Sequence, residues 1–280
     1  MNWKAIFPNA LTSLNLLMGI MAIVFTFNGH LSWAPWCIGI AAIADFLDGF
    51  VARLLGVSGA FGKQMDSLAD AVTFGVAPGV MVMCLFLLVP FESVLNSFGY
   101  EAAVEFALDQ WMLNLAGDSS DAPFFKEMSG QQMYLPFVAL LIPVFSVLRL
   151  AKFNIDERQS DRFYGLPTPA NALFFCSFVL IGAQAYEAGN ATQIKIFEVL
   201  VNPMNLTILT LAFSLLMVVD IPLLALKFKR VDFQSNWSRY VLILVAVGLL
   251  LWIHVWSLPI IVFLYLILSF ISEIFRKKQA

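Results

Sequence analysis

Asp45-Phe-Leu-Asp48-Gly49-Phe-Val-Ala52-Arg53, then the eight residues Leu54 to Phe61, then Gly62, Asp66 and Asp70, is the stretch on which the reading of this chain turns. All four aspartates lie in strongly apolar surroundings. An aspartate at the centre of a membrane helix costs about 2.5–3.5 kcal/mol to insert, so four in two consecutive helices need compensation. Asp45 and Asp48 are three apart and Asp66 and Asp70 four apart, so each pair shares a helix face. The short connection predicts two antiparallel neighbouring helices with both pairs near one end. Clustered anions in low dielectric call for a counter-charge. Carboxylate oxygens with no nearby His or Cys select a hard divalent cation such as Mg²⁺, Mn²⁺ or Ca²⁺, not zinc. Four carboxylates suit two ions, the usual clamp for in-line displacement at phosphorus. Gly49 and Ala52 keep one helix face small beside the carboxylates. Gly62, Asp66, Ala69, Asp70, Thr73 and Ala77 form a matching stripe on the next helix. Such residues also serve plain helix packing. Arg53 reads either as a topology anchor or as a phosphate ligand.

The rest of the chain supplies the membrane. Of 280 residues, 60% are hydrophobic and 12% charged, with mean hydropathy +0.84, against ~25% charged in a typical soluble domain. A soluble enzyme and a disordered chain are both excluded. The expected fold class is all-α, a polytopic helix bundle of about eight transmembrane helices near 11–27, 34–53, 64–89, 134–150, 169–186, 205–226, 239–253 and 258–275. The acidic stretch 91–133 is too polar to span and is expected outside the cytoplasm, with an interfacial helix from Glu101 to Leu115. With both termini cytoplasmic, every basic residue except Lys126 and Lys195 falls on the inner side, as the positive-inside rule demands. The end Arg276-Lys277-Lys278 reads as an anchor to anionic lipid. No signal peptide is expected. Cys37, Cys84 and Cys176 read as small buried hydrophobes, neither disulfide nor metal ligands. His30 and His254 fall at the outer boundary and are assigned no role. No nucleic-acid partner is expected.

The eight signature positions Asp45, Asp48, Gly49, Ala52, Arg53, Gly62, Asp66 and Asp70 resemble the CDP-alcohol phosphotransferase family at the family's spacing. The resemblance implies a membrane enzyme with six core helices that moves a phosphatidyl-type group from a CDP-linked lipid to an alcohol and releases CMP. It implies Asp45, Asp48, Asp66 and Asp70 as ligands of two divalent ions, Mg²⁺ or Mn²⁺, and Asp70 as the base. Gly49, Ala52, Arg53 and Gly62 would border the nucleotide diphosphate, with Asn9 and Thr12 of the first helix.

Three further segments, Pro8-Asn9-Ala-Leu-Thr12-Ser-Leu-Asn15-Leu-Leu-Met-Gly19, Arg149-Leu-Ala-Lys152-Phe153-Asn154 and Gly165-Leu-Pro167-Thr168-Pro169, resemble the branch that synthesises phosphatidylserine. That branch implies CDP-diacylglycerol and L-serine as substrates, with Arg149 and Lys152 as serine ligands if the fourth helix continues that far. It also implies a catalytic core over 1–226, a two-helix extension over 227–280, a homodimer in membrane lipid, and an active site facing the cytoplasm, in the inner membrane if the source is prokaryotic. The branch more often carries Arg where Lys152 stands.

Each segment also has a plainer reading. Asn9 and Thr12 could cap the first helix, Thr168-Pro169 could be an N-cap followed by a first-turn proline, and Arg149 and Lys152 could be topology anchors. Asp220 reads as a polar break before Pro222 or as an extra site residue. Three rival readings remain open: transfer to another alcohol, such as glycerol phosphate or inositol phosphate, divalent-cation transport through midplane carboxylates, and a metal-stabilised inactive scaffold that would release no CMP. The outer halves of helices two and three offer almost no polar residues for a transport path.

Overall fold

The computed structural model describes residues 3–57, 59–88, 95, 97, 99–115, 134–155, 163–224 and 233–277. They are almost entirely helical: α1 (Ile6–Phe27), α2 (Ala34–Leu54), α3 (Ala60–Asp70), a π-helical turn (Ala71–Val76), α4 (Ala77–Leu88), α5 (Tyr100–Leu115), a 3-10 segment (Leu135–Leu140), α6 (Leu141–Ile155), α7 (Thr168–Glu187), α8 (Ala191–Val201), α9 (Pro203–Val218), α10 (Phe233–Ile253) and α11 (Ser257–Lys277). Among the described residues, five helical stretches are long and apolar enough to cross a membrane, six if the bent pair α8–α9 counts as one. The chain is an integral membrane protein.

The expected all-α class has one small exception. Residues Phe163–Tyr164 (β1) and Pro222–Leu223 (β2) pair antiparallel. The sixth expected span, 205–226, accordingly stops early. Helix α9 ends at Val218, because Pro222 lacks the N–H that a continuing helix would need. Gly165 makes the turn next to β1 with φ +79, a left-handed conformation open to glycine without a Cβ penalty. The third expected span begins four residues early, at Ala60, and is interrupted by the π-helical turn. The interfacial helix is present as α5. Its buried residues Ala103, Val104, Ala107, Leu108 and Trp111 recur at helical spacing and pack toward α4 and α7. All of 116–133, like Lys278 of the basic end, lies outside the described residues.

Every residue of α4 is buried, as a helix apolar on all sides must be in a bundle core. Helices α1, α5 and α7 pack around it. An aromatic cluster joins α7 to α9 and α11: Phe174 stacks on Phe213 at 3.8 Å between centroids and meets Phe263 edge-on at 5.6 Å. The 59° bend between α8 and α9 falls at Asn202, held extended by the following Pro203. There the Asn202 side chain caps α9 by accepting from the Met204 N–H at 3.1 Å.

Helix α1 is the scaffold for the four aspartates. It packs along α2 and also along α3 and the π-helical turn, whereas α2 and α3 make little backbone contact with each other. Helix α1 holds both, and α2 and α3 meet through side chains rather than backbones: their carboxylates face one another across a gap, with Asp45 and Asp66 within hydrogen-bonding reach. The π-helical turn follows Asp70 immediately. It sits so close to α1 that a Cβ on Gly19 would overlap Thr73. The Thr73 hydroxyl donates to the Asn15 carbonyl at 3.1 Å.

Gly19→Ala therefore should force α1 off the π-helical turn. The expected outcome is a loss of about 1–3 kcal/mol, the usual range for overpacking, read as a lower thermal midpoint in detergent. Gly39→Ala, whose added Cβ meets nothing, is the control and should unfold like the parent. Equal midpoints for the two variants would contradict the close approach.

Candidate active site

The carboxylates of Asp45, Asp48 and Asp66 each offer an oxygen within 4.8 Å of the others. Asp45 and Asp66 lie within hydrogen-bonding reach of each other. Asp48 is buried and accepts a hydrogen bond from the Thr12 hydroxyl of α1. Asp70, one turn beyond Asp66, is 8% exposed and accepts from Asn15 Nδ2 at 3.0 Å. Two polar side chains of α1, three residues apart and so on one face, thus orient a carboxylate on each of the facing helices. The caps proposed for this region are absent. Helix α1 starts at Ile6, and Thr12 faces Asp48 from its interior.

These residues fit a divalent metal on two observations. Asp66 Oδ1 is buried with no hydrogen-bond partner, which in a folded protein calls for a ligand. The three converging groups are all hard oxygen donors. Among the described residues, no lysine or arginine forms an ion pair with Asp45, Asp48 or Asp66, so protein cations do not neutralise the cluster.

A cavity of about 550 Å³ opens beside the cluster. Asp48 and Asp66 line it, and so do all six residues singled out for the nucleotide: Asn9, Thr12, Gly49, Ala52, Arg53 and Gly62. A Cβ on Gly49 would meet nothing and one on Gly62 only Asn9 Oδ1 at 3.9 Å, so glycine here leaves open space and does not serve tight helix packing. The Arg53 guanidinium is exposed and anchored by Nε donating to the Gly49 carbonyl at 2.8 Å. Lys63 also lines the cavity, and its Nζ donates to the Asn154 carbonyl at 3.0 Å.

Helix α6 runs to Ile155, so Arg149 and Lys152 do share a helix, but their environments differ. Arg149 is 7% exposed. It lies near enough to Asp70 to interact with it electrostatically, and Nη1 donates to Thr168 Oγ1 at 3.4 Å. Its Nε is buried without a partner. Lys152 instead pairs with Asp220 at 2.7 Å and donates to the Val218 carbonyl at 3.0 Å. Asp220 is thus the partner of Lys152. Thr168 is the first residue of α7 and makes no cap; its hydroxyl is turned to Arg149. Asn154 Nδ2 donates to Ser67 Oγ at 2.7 Å, tying the end of α6 to α3 beside the aspartates.

Three contributors escaped the sequence reading: Asn15, Lys63 and Thr168 as a partner of Arg149. Asn15 had a signal, a polar residue three after Thr12 in an apolar run. Lys63 had only its position beside Gly62. Thr168 had none, because a Thr-Pro helix entry is common for purely local reasons.

Residues 5–116 match the family model described as CDP-alcohol phosphatidyltransferase, a segment that contains every residue of the carboxylate cluster and its cavity. The chain is 29% identical over 272 residues to the CDP-diacylglycerol–serine O-phosphatidyltransferase of Helicobacter pylori strain J99, covering 96% of this chain and 92% of that protein. It is 32% identical over 178 residues to the archaetidylserine synthase of Methanothermobacter thermautotrophicus, covering 62% and 58%. The serine O-phosphatidyltransferase of Bacillus subtilis is 26% identical over 163 residues, 58% of this chain and 68% of that protein. The signature spacing, the four membrane carboxylates and the family match agree, so residues 5–116 are similar to the CDP-alcohol phosphatidyltransferase family.

Proposed function

We propose that the protein transfers the phosphatidyl group of CDP-diacylglycerol to the hydroxyl of L-serine, giving phosphatidylserine and CMP. The observation that carries this reading is the convergence of Asp45, Asp48 and Asp66, with an unpartnered buried oxygen, at the wall of a cavity large enough for a nucleotide. The acceptor follows the names of the relatives, two of them serine O-phosphatidyltransferases.

In this reading Asp45, Asp48, Asp66 and Asp70 hold two divalent ions, Mg²⁺ or Mn²⁺. When bound, these neutralise the diphosphate and the charge that develops on the leaving CMP. Asn9, Thr12, Gly49, Ala52, Arg53 and Gly62 border the CDP moiety. The small residues admit it, and Arg53 presents a fork suited to phosphate oxygens. The serine hydroxyl oxygen bonds to the lipid-bearing phosphorus, the bond from that phosphorus to the CMP oxygen breaks, and the hydroxyl proton passes to Asp70. Asn15 holds Asp70 Oδ1, which fixes the carboxylate plane for that transfer. Arg149, with its partnerless Nε, grips the serine carboxylate and keeps it from the diphosphate. Lys152 helps from the same helix, positioned by Asp220.

The topology that goes with this function has eight spans. The stretch Arg239–Ser272 is counted as two, and α2, whose three charged side chains belong to the site, is added. Both termini and the site face the cytoplasm, in the inner membrane if the source is prokaryotic. Residues 1–226 form the catalytic core with its extracytoplasmic insert 91–133, residues 227–280 form the extension, and the protein works as a homodimer.

Chelation should abolish CMP release from CDP-diacylglycerol and serine, and Mg²⁺ or Mn²⁺ should restore it. Asp45→Asn, Asp48→Asn and Asp66→Asn should each retain membrane insertion and lose most turnover. Full activity in EDTA would overturn the metal reading. Asp70→Asn should lose about 10²–10⁴-fold in rate, the range for a positioned base, with donor binding partly kept. Near-parental turnover would remove Asp70 from the chemistry.

Arg149→Ala should raise the serine KM about 10-fold or more, since a charge-assisted hydrogen bond contributes ~1.5–3 kcal/mol, with the KM for CDP-diacylglycerol moving much less. A weakened donor with unchanged serine KM would place Arg149 at the phosphates instead. Glycerol phosphate and inositol phosphate, tested as acceptors in the same assay, should release little CMP. Comparable release would identify a different acceptor.

A further inference from the structure

The two cations read as acceptor ligands, Arg149 and Lys152, both rest on one corner of the chain. The β1–β2 pair joins the end of α9 to the start of α7. Around it the Gly165 N–H donates to the Ile221 carbonyl at 3.0 Å, and the Leu166 N–H to the Leu216 carbonyl at 2.8 Å. Lys152 is held from one strand of this corner, by Asp220 and by the Val218 carbonyl. Arg149 is held from the other, through Thr168, two residues after Leu166.

Helix α11 grips that corner by its backbone. Leu224 directly follows β2. Its N–H donates to Ser269 Oγ at 3.1 Å, and its carbonyl accepts from the Tyr265 hydroxyl at 3.1 Å. Two side chains of α11 thus satisfy the main-chain donor and acceptor of one residue, groups that a further strand would otherwise have to pair. Tyr265 and Ser269 are four apart, on one face of α11, and both are buried. The Ser269 hydroxyl donates to the Tyr265 carbonyl at 2.7 Å, which leaves its oxygen oriented to accept from Leu224. Tyr265 also lies near enough to Arg149 to interact with it electrostatically. The helix is fixed to the bundle core by Phe263, edge-on to Phe174 and Phe213 at 5.6 and 5.8 Å.

We propose that Tyr265 and Ser269 are positioning residues for the acceptor. By clamping Leu224 they fix the β1–β2 corner, and the corner sets Asp220 against Lys152 and Thr168 against Arg149. The inference rests on the reading of Arg149 and Lys152 as acceptor ligands. It gives the last helix, which supplies no residue to the carboxylate cluster or its cavity, a part in choosing the alcohol. Plain stabilisation would account for hydrogen bonds between buried groups, but it does not require the clamp to close on the corner that carries the partners of both cations.

The test compares the full chain with Tyr265→Phe, Ser269→Ala and Asp220→Asn in nanodiscs, by CMP release and by amide hydrogen exchange. Tyr265→Phe and Ser269→Ala each remove a single oxygen, so both should fold. Each should raise the serine KM about two- to tenfold, the range for one lost hydrogen bond, with kcat and the KM for CDP-diacylglycerol nearly unchanged. Combined with Asp220→Asn, Tyr265→Phe should add less than its own factor, because both changes act on one contact. Exchange should quicken at the Gly165, Leu166 and Ile221 amides in both clamp variants and keep the parental rate in α2. A lower thermal midpoint with both KM values unchanged would make the clamp merely structural and overturn the proposal. Fully multiplicative factors in the double variant, or unchanged exchange at the corner, would overturn it too. A parent that releases CMP with another alcohol and not with serine would instead overturn the serine reading; the clamp is then judged by that alcohol's KM and by the exchange rates.

Discussion

Mutual repulsion among carboxylates removed from water is the constraint to which the rest of this structure responds. Asp45, Asp48 and Asp66 converge within 4.8 Å in a chain that is otherwise mostly apolar. In low dielectric such a group is expensive to assemble, and no protein cation pairs with it among the described residues. What holds it is the bundle. The packing of α1 on α2, α3 and the π-helical turn brings the charges together.

Helix α1 has a double role that follows from this constraint. Its apolar outer face meets lipid, with Leu14, Leu17 and Ile20 exposed, while Thr12, Asn15 and Gly19 are buried on the inner one. Thr12 reaches Asp48, Asn15 reaches Asp70, and Gly19 admits the backbone at Thr73. The π-helical turn is where α3, whose polar face carries the aspartates, becomes α4, which is buried all round. Widened turns of this kind recur at functional sites because they re-aim side chains without ending a helix.

The two ends of the bundle differ in their counter-charges. At the aspartate end, Arg53 and Lys63 line the same cavity as Asp48 and Asp66, an arrangement able to receive an anionic diphosphate with metal between. At the other end a second cavity carries carboxylates and aromatic rings, with no lysine or arginine among its lining residues. Between the two ends lies the packed middle of α4, α7 and α9, which holds the Phe174–Phe213 stack.

The local pattern of residues was enough to determine the helical membrane class, the four aspartates in two face-sharing pairs, and the small residues beside them. Each depends only on spacing along a helix and on the cost of charge in an apolar segment, both of which are written in one dimension. Tertiary structure alone decided what the other polar residues do. Thr12 and Thr168 sit where caps are common, yet each turns its hydroxyl to a residue far along the chain, Asp48 and Arg149. Lys152 looks equivalent to Arg149 by spacing, but the β1–β2 corner brings Asp220 to it at 2.7 Å and leaves Arg149 buried near Asp70. That α1 packs on both α2 and α3 was hidden for the same reason. A short loop fixes how far apart two helices can be, but which third helix packs across both depends on side-chain packing through the whole bundle.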